Sequence, residues 1–420
     1  MTARRRGAIV VGAGAAGLWA AARAAELGCD VLVLEKTPRA GTKVLASGGT
    51  RCNLTTTLGA APAAALFGPS GERFLRRAFR ALPPEAVRAR FHALGVPTVE
   101  APLEKVFPAS NNARDVRDAL LSWALGAGAE LRVSAPVRAV EPAGDGWRVF
   151  VDGGDPLECR ELLLCPGGKS VPRTGTTGDG YAWLARLGLP LVEPVPALVP
   201  LSSPEPWVRE LAGVALQDAV VRLADNQGRT LGRRARPIVF THQGISGPGA
   251  MDLSEPVARG LPGLALVLDL LPAIEREDLR AALLAAAGLP GAPRLAAALP
   301  RLVGEPPPRR LLAAAARQAG LSDDNPRAND LPRAARHELI EALKGLRVPV
   351  DGTLGWDKAE VTAGGLDLGA VDPGTLRVKG RPGLFVFGEL LDLAGPIGGL
   401  NFQSAFATAE LAARALAGGR

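Results

Sequence analysis

The sequence predicts an α/β protein in which a nucleotide-binding domain with a parallel sheet is interrupted by an insert. An apolar run at residues 8–11 leads into a glycine motif at 12–17 and then into a helix. A second apolar run, at 384–387, leads through the glycine pair at 398–399 into a carboxy-terminal helix. Between these ends, residues 189–349 first alternate like strands and then show helical segments separated by prolines. These three observations define a discontinuous domain with one insert.

The amino-terminal residues are predicted to form a strand, a glycine turn, a helix that ends at Gly28, and a second strand that ends at Glu35. Gly12 permits the tight turn, Gly14 lets the backbone approach a pyrophosphate, and Gly17 lets the helix pack closely on the strand. The helix N-terminus offers unpaired N–H groups to phosphates, and Glu35 can accept hydrogen bonds from a ribose. Because these features fall in the right order, the segment predicts dinucleotide binding.

The segment that follows Glu35 favours FAD over NAD as the dinucleotide. Residues 36–55 are basic and rich in glycine, and they do not pass directly into another strand and helix. A cofactor with a long second half would lie against such a segment, where glycine permits close backbone approach. Lys43 and Arg51 can offset phosphate charge, and Asn53 can form local hydrogen bonds. The sequence therefore predicts an FAD site.

A second glycine-rich motif follows the apolar strand predicted at residues 383–387. Glu389 and Asp392 come after this strand, and their carboxylates can bind ribityl or ribose hydroxyls. Gly398–Phe402 then opens the last helix, whose positive end would face the pyrimidine edge of a flavin and stabilise negative charge on its reduced form. The small residues at 361–365 favour a flat contact with the flavin ring, with a simple turn as the alternative.

Seven motifs along almost the whole chain form a family-specific set. They are GAGAAGL (12–18), GTKVLASGGTRCNLT (41–55), LCPGGKSVPRTGTTGDGY (164–181), PALVPL (196–201), FTHQGISGP (240–248), VTAGG (361–365) and LFVFGELLDLAGPIGGLNFQSAFATA (384–409). With them the sequence resembles the HI0933-like flavoproteins, a bacterial family related to the glutathione-reductase-type FAD proteins. That family includes enzymes described as bile-acid unsaturated-ketone reductases. The motifs are very specific for the family and much less specific for a substrate.

The resemblance and the pattern together imply a Rossmann-like FAD-binding domain, discontinuous at residues 1–188 and 350–420. An insert at 189–349 interrupts it, with a β-barrel or sandwich part at about 189–272 and a small helical part at about 273–349. An insert of this kind usually closes over the flavin and supplies the substrate pocket. The helices are predicted near residues 275–287, 294–303, 308–319 and 331–345.

These motifs supply the candidate cofactor-binding residues. They are Gly12, Ala13, Gly14, Ala15, Ala16, Gly17, Glu35, Lys36, Lys43, Gly49, Arg51, Cys52, Asn53, Val137, Pro166, Gly167, Gly168, Gly388, Glu389, Asp392, Gly399, Leu400, Asn401 and Phe402. Val137 enters by the resemblance, which implies that its backbone meets the adenine. Two positions depart from the family pattern: Thr50 stands where a third glycine is usual, and Cys165 stands where alanine or threonine is common.

His242 and Cys52 are the candidate catalytic residues. His242 lies between an apolar strand and a glycine-rich turn, where it is either a proton donor or a structural histidine. The cysteine nearest to Cys52 in sequence is Cys29, so a redox disulfide is not expected. Cys52 is then either a lone thiol near the flavin or, as we favour, a small buried wall residue. Four cysteines without a CxxC pair and three histidines indicate no metal site and suit a reducing cytoplasm.

Composition limits the partners of this chain of 420 residues. Its 47% of apolar residues can bury a large core, and a net charge of +7 is mild for this length. The short arginine clusters lack interleaved aromatic residues, and no apolar run reaches the roughly 20 residues of a membrane span. We therefore expect a small organic substrate, no nucleic acid, no membrane insertion, and a monomer or homodimer.

The sequence thus predicts an FAD-dependent oxidoreductase that transfers a hydride between flavin N5 and an organic substrate. Reduction of an activated C=C bond is one form of this chemistry. No second GxGxxG motif is visible, so NAD(P)H as an electron donor would have to bind transiently at the flavin face. Two alternatives stay open: a flavin oxidase or monooxygenase, and a flavin-dependent RNA-modifying or redox-sensing protein.

Overall fold

The computed structural model describes residues 5–291, 293–303 and 307–418. The other positions, which include short parts of both predicted domains, lie outside the described residues. The chain divides into two compact units: unit 1 comprises Met1–Pro196 and Trp356–Arg420, and unit 2 comprises Ala197–Gly355. The boundaries predicted from the sequence, 188/189 and 349/350, lie a few residues earlier in the chain at both crossings.

The first part of unit 1 alternates strands and helices. Its strands are β1 (Arg6–Val11), β2 (Val31–Leu34), β3 (Thr55–Thr56), β4 (Thr98–Ala101), β5 (Lys105–Pro108), β6 (Glu130–Arg132), β7 (Val137–Ala143), β8 (Gly146–Val151), β9 (Leu157–Leu164) and β10 (Leu191–Ala197). Its helices are α1 (Ala15–Glu26), α2 (Thr42–Ala46), α3 (Ala60–Ala65), α4 (Gly68–Ala81), α5 (Pro84–Ala93), α6 (Ala113–Gly126) and α7 (Asp179–Arg186).

Unit 2 begins with short strands and continues with helices. The strands are β11 (Leu201–Ser202), β12 (Ala215–Leu216), β13 (Val220–Ala224), β14 (Thr230–Ala235), β15 (Ile238–Thr241), β16 (Gly244–Ser246), β17 (Ala265–Asp269), β18 (Leu346–Pro349) and β19 (Gly352–Thr353). The helices are α8 (Pro206–Glu210), α9 (Pro248–Met251), α10 (Glu255–Ala258), α11 (Arg276–Ala287), α12 (Leu295–Val303), α13 (Arg309–Gln318) and α14 (Arg333–Lys344).

The chain then returns to unit 1 through β20 (Val361–Leu366), β21 (Leu384–Val386) and α15 (Leu400–Gly418). Strand β20 pairs with β10, so the segments by which the chain leaves and re-enters unit 1 are neighbours. This pairing explains why β10, which the sequence places in the insert, belongs almost entirely to unit 1.

Five parallel strands of unit 1, β6, β2, β1, β9 and β21, end at the same level. In the described residues the main sheet has the order β6-β2-β1-β9-β8-β7, with β21 beside β9. Val11 at the end of β1 is in register with Leu34 and with Leu164, and Leu164 is in register with Val386. The residues that follow these strands therefore meet at one edge, where α/β folds of this type place their ligands.

Two antiparallel sheets form the β part of unit 2, in the orders β12-β15-β16-β11-β19 and β14-β13-β17-β18. Residues 346–349, which the sequence places in the helical part, form β18 and pair with β17. Apolar residues of these sheets and of α11 to α14 share one buried cluster, for example Leu266, Leu283 and Leu339. The strands and helices of unit 2 therefore fold around a common core.

Helices α1 and α15 pack against each other in the core of unit 1. Alanines of α1, including Ala20, Ala21 and Ala24, are fully buried and let the two backbones come close. Trp19 of α1 fills the remaining space against Phe406 of α15, with ring centroids 4.9 Å apart. No helix among the described residues is long and apolar enough to span a membrane.

A buried carboxylate joins the same two helices. Glu410 of α15 is 2% exposed. It accepts hydrogen bonds from the indole Nε1 of Trp19 at 2.9 Å, from Nε of Arg23 at 3.2 Å and from Nε of Arg414 at 2.8 Å. A buried charge is tolerated only when it is paired and hydrogen-bonded in this way.

Removal of this carboxylate tests its part in the stability of unit 1. We expect Glu410→Leu to lower the free energy of unfolding by about 3 kcal/mol, because it leaves the buried indole N–H of Trp19 without an acceptor and Arg23 with only Glu26 as its carboxylate partner. Arg414→Ala, at the half-exposed side of the cluster, should cost less than about 1 kcal/mol. Denaturant unfolding of both variants measures the difference, and equal stabilities would contradict this role.

Candidate functional site

The glycine turn after β1 is shaped by contacts that exclude side chains at two of its three glycines. Gly12 has a φ of +104°, and a Cβ there would lie 2.6 Å from the carbonyl oxygen of Cys165. A Cβ on Gly17 would lie 1.8 Å from the carbonyl oxygen of Gly12. Around Gly14, by contrast, no atom lies within 4 Å of the Cβ position. The turn therefore packs tightly on the protein side and leaves open space at Gly14.

No residue at the N-cap of α1 caps the first N–H groups of the helix with a side chain. Gly14 is the residue before the helix and provides no side-chain hydrogen bond to it. Such N–H groups, together with the helix dipole, attract an anion such as a pyrophosphate. The open space at Gly14 is where that anion would lie.

Glu35, at the end of β2, holds the glycine turn in place. Its Oε2 accepts a hydrogen bond from the N–H of Ala13 at 2.9 Å. Its Oε1 accepts hydrogen bonds from the N–H and the hydroxyl of Thr37, both at 2.8 Å. A carboxylate has about four acceptor positions, so Glu35 keeps capacity for a ribose hydroxyl while it fixes the turn.

A cleft opens beside this turn, entirely within unit 1. The candidate residues that line it are Gly12, Ala13, Gly14, Glu35, Lys36, Lys43, Val137 and Pro166, and the loop Thr174–Asp179 forms another wall. Sequence reasoning missed this loop as a site element, although its TGTTGDG residues belong to a motif that supported the resemblance. The ammonium group of Lys36 anchors this loop by donating hydrogen bonds to Thr177 Oγ1 and Asp179 Oδ2, each at 2.6 Å.

A polar cluster connects four segments that are far apart in the sequence. Glu389 Oε1 accepts hydrogen bonds from Ser170 Oγ at 2.9 Å and from the N–H of Thr362 at 3.0 Å. The ammonium group of Lys43 forms an ion pair with Glu389 Oε2 and donates to Ser170 Oγ at 2.6 Å. A Cβ on Gly168 would lie 2.2 Å from Thr362 Oγ1, so glycine is required there. Sequence reasoning singled out Lys43 and Glu389 separately and missed Ser170.

The loop before α15 packs against the segment at residues 47–55. A Cβ on Gly399 would lie 1.9 Å from the carbonyl oxygen of Thr55. Asn401 closes the loop on itself through two hydrogen bonds to the backbone of Gly395, at 2.9 and 2.8 Å. Asp392 Oδ1 accepts a hydrogen bond from the N–H of Gly364 at 3.0 Å. The loop before α15 therefore contacts two of the predicted flavin-side segments: 47–55 through Gly399 and 361–365 through Asp392.

The two predicted ends of the site also meet. Gly388 follows β21 with a φ of +71°, and a Cβ there would lie 3.0 Å from the Cβ of Ala16 in α1. Gly167 also has a positive φ, +86°, and lies against Thr176 of the cleft wall. Gly388 and Gly167 have close neighbours because the strands before them, β21 and β9, end at the same level of the sheet.

Cys52 lies in the core and is fully buried. Burial raises the pKa of its thiol to about 12, an effect that the contact with Ser47 opposes only in part. The thiol is therefore protonated at neutral pH and a poor nucleophile. These observations favour a wall residue over a reactive thiol. None of the four cysteines, all of which are described and buried, forms a disulfide.

Two other candidates on this segment face outward. Gly49 is exposed, and no atom lies within 4 Å of its Cβ position. The guanidinium of Arg51 lies over the ring of Phe107, 4.1 Å from its centroid. Asn53 Oδ1 accepts a hydrogen bond from the N–H of Val106 at 3.0 Å, which anchors the segment to β5.

His242 lies in unit 2, at the exposed turn between β15 and β16. Gly244 follows it, and a Cβ on Gly244 would lie 2.0 Å from the carbonyl oxygen of Leu201. The turn is thus held by close backbone packing within unit 2. A role of His242 as a proton donor stays a prediction. In the described parts of the chain, no group of three or more His, Cys, Asp or Glu residues is arranged to hold a metal ion.

Comparison with known proteins identifies the family. The profile of the HI0933-like protein Rossmann domain matches residues 6–415, so the chain belongs to the HI0933-like family. It is 32% identical over 415 residues to a 3-dehydro-bile acid delta(4,6)-reductase from Clostridium scindens, covering 97% of this chain and 98% of that protein. It is 30% identical over 413 residues to a ribosomal RNA dihydrouridine synthase from Escherichia coli, covering 97% of each.

A solved structure shares the fold. The 3-ketosteroid delta1-dehydrogenase from Sterolibacterium denitrificans gives a TM-score of 0.50 at 16% identity, covering 98% of this chain and 99% of that one. The comparisons confirm the predicted family and the α/β fold with a Rossmann-like FAD-binding domain. The chain is therefore an FAD-dependent oxidoreductase.

The residues of the cleft fit FAD. Gly14 leaves space at an uncapped helix start, Glu35 lies at the end of β2, and Ala135 and Val137 line the cleft on the side where the adenine is predicted. The start of α15 supplies a second helix N-terminus near the segment at 47–55. When bound, FAD supplies a group that can accept and donate a hydride.

The difference between Gly14 and Gly17 can be tested by substitution. Gly14→Val should leave the fold intact, because its Cβ position is empty, but should reduce FAD binding at least tenfold by filling the pyrophosphate space. Gly17→Ala should reduce both the thermal stability of the apoprotein and its FAD binding, because its Cβ would meet the backbone of Gly12. Thermal unfolding of the apoproteins and the FAD absorbance of the purified proteins measure the two effects. A Gly14 variant with normal FAD content would contradict this assignment.

Thr50 carries backbone strain. Its φ is +68°, a left-handed conformation that β-branched residues rarely adopt. A glycine would adopt this conformation freely. Thr50→Gly should therefore raise the free energy of unfolding by about 1 kcal/mol, since relief of strain outweighs the entropy that glycine loses. Thr57 is also exposed but does not have a positive φ, so Thr57→Gly should lower the free energy of unfolding. Chemical denaturation compares the two, and a destabilised Thr50 variant would refute the argument.

Proposed function

We propose that this protein uses FAD to reduce a C=C bond conjugated with a carbonyl group. The observation that carries the proposal is the similarity over the whole chain to two relatives with different substrates and one common reaction. A delta(4,6)-reductase of a 3-dehydro-bile acid saturates double bonds conjugated with a ketone. A dihydrouridine synthase saturates the uracil double bond, which is conjugated with a ring carbonyl.

The geometry of unit 1 supports this chemistry. Hydride addition to a conjugated C=C bond moves negative charge onto the carbonyl oxygen, and the second carbon then takes a proton. The N-terminus of α15 provides a positive electrostatic end on the predicted flavin side, and it favours anionic species there. The side chains of Glu389, Ser170 and Lys43 bind one another through hydrogen bonds and an ion pair. We therefore assign them the role of positioning the loops of the site, and not that of proton donors.

The proton donor is proposed to be His242. It is exposed, so a solvent-exchangeable proton is available to it, and an imidazole ring can donate a proton from a nitrogen. NAD(P)H is proposed as the electron donor, binding transiently because the sequence has one GxGxxG motif.

Anaerobic reoxidation tests the proposal. The purified yellow protein is reduced with NADH, NADPH or dithionite and mixed with a 3-oxo-delta4 steroid, a 3-oxo-delta4 bile acid or a uridine-containing RNA. We expect at least one of these acceptors to restore the oxidised flavin spectrum and to gain two hydrogens by mass spectrometry. His242→Gln should lower the turnover at saturating substrate and change its pH profile, whereas His337→Gln should not.

Reoxidation by oxygen alone, with stoichiometric peroxide and no reduced acceptor, would overturn the proposal in favour of an oxidase. Bleaching of the flavin by a saturated ketone, with formation of the enone, would instead assign a dehydrogenase.

A further inference from the structure

The outer face of α4 is a row of arginines. Arg73, Arg76, Arg77 and Arg80 have the spacing i, i+3, i+4 and i+7, which places them on one side of the helix, and all four are exposed. The opposite side is apolar and buried, with Phe74, Leu75, Ala78 and Phe79. The four side chains are called the arginine face below.

The acidic groups near the arginine face do not neutralise it. Arg76 lies 3.5 Å from Glu72, the one acidic residue of α4, and both side chains are more than 40% exposed. Arg77 lies beside the loop at 372–374 and contributes to lowering the pKa of Asp372. For Arg73 and Arg80, no acidic group in the described residues lies within ion-pair distance. The face therefore keeps a net positive charge toward solvent.

The buried side of α4 and the residues just before it contact the loop that leads into α15. A Cβ on Gly71 would lie 3.3 Å from Leu393, and a Cβ on Gly395 would lie 2.7 Å from the ring of Phe67. This loop continues to Gly399, which packs on Thr55 of the predicted flavin side. The arginine face thus stands about one helix diameter, roughly 10 Å, from the loop that frames the site.

We propose that the arginine face binds the phosphate backbone of an RNA substrate. This inference rests on the proposed function and adds the class of molecule that carries the reduced double bond. Guanidinium groups bind phosphate oxygens in a bidentate manner, and a row of four matches a polyanion better than a ligand with one carboxylate. The face has no aromatic residues, which suits contacts that position RNA without reading its bases. The expectation of no nucleic acid relied on that lack of aromatics, which phosphate contacts do not need.

The test compares two variants with the same change in charge. The first replaces Arg73, Arg76 and Arg80 by glutamine and keeps Arg77, which is packed against Gly374. The control replaces the exposed Arg209, Arg309 and Arg333 of unit 2 by glutamine. Binding of a uridine-containing RNA hairpin made by transcription is measured from about 50 to 200 mM KCl. Thermal unfolding and flavin absorbance confirm that each protein is folded.

We expect the first variant to bind the hairpin at least tenfold more weakly at about 0.1 M salt, and its log–log salt slope to shrink by about two to three. The control should change binding less than about twofold, and both should keep wild-type turnover of whichever small enone the wild type reduces. An Arg→Lys version of the first variant should retain most of the salt slope, because it keeps the charge.

Equal losses in the two glutamine variants, or a first variant with wild-type RNA affinity, would overturn the inference. A wild-type protein that reduces an enone and does not bind the hairpin would also overturn it, while the proposed function would stand. A wild-type protein that reduces no conjugated C=C bond would overturn the proposed function itself.

Discussion

The packing of α1 on α15 is the constraint on which the rest of unit 1 depends. Both helices begin at the predicted cofactor site: α1 follows the glycine turn, and α15 follows the loop at 395–399. Their mutual position therefore fixes the relative position of two helix N-termini, one at the pyrophosphate side and one at the flavin side. Buried alanines set the distance between the helices, and Glu410 fixes their register through bonds to Trp19 and Arg23.

The carboxylates that follow the strands accept hydrogen bonds from backbone N–H groups of the protein. Glu35 binds the glycine turn, Asp392 binds the N–H of Gly364, and Glu389 joins Lys43, Ser170 and Thr362. Each carboxylate therefore orients a loop at the site and is itself oriented by that loop. A site assembled in this way is preorganised, since the polar groups are already held when the ligand arrives.

Local steric requirements made much of the fold predictable from the sequence. The roles of Gly12 and Gly17 followed from the turn and from close helix packing, and the contacts around both residues agree with them. Helices α11 to α14 of unit 2 also lie close to their predicted bounds, because their apolar spacing and proline breaks are local signals. The strand at 346–349 was not expected, since a segment of four residues becomes a strand only through its partner β17.

The sequence could not predict the polar contacts of the site and the core, because the partners are distant in sequence. Lys43 and Glu389 are 346 positions apart, and Trp19 and Glu410 are 391 apart. Nothing in the residues next to Lys43 or Glu389 indicates that these two charged side chains will form an ion pair. Thr50 is an intermediate case: the sequence marked it as a departure from the family pattern, and only the backbone showed that it adopts the conformation of a glycine.

The contact between the two ends of the chain also dictates an order of events during synthesis. Helix α1 leaves the ribosome early, and its partner α15 emerges only after the whole of residues 197–355. Unit 2 is continuous in sequence and can fold as it emerges, whereas the side of α1 that contacts α15 stays uncovered until α15 has been made. Contacts of such long range close slowly and leave apolar surface exposed meanwhile. The nascent protein is therefore expected to depend on chaperones, and a chain truncated before α15 is expected to aggregate rather than to form half a site.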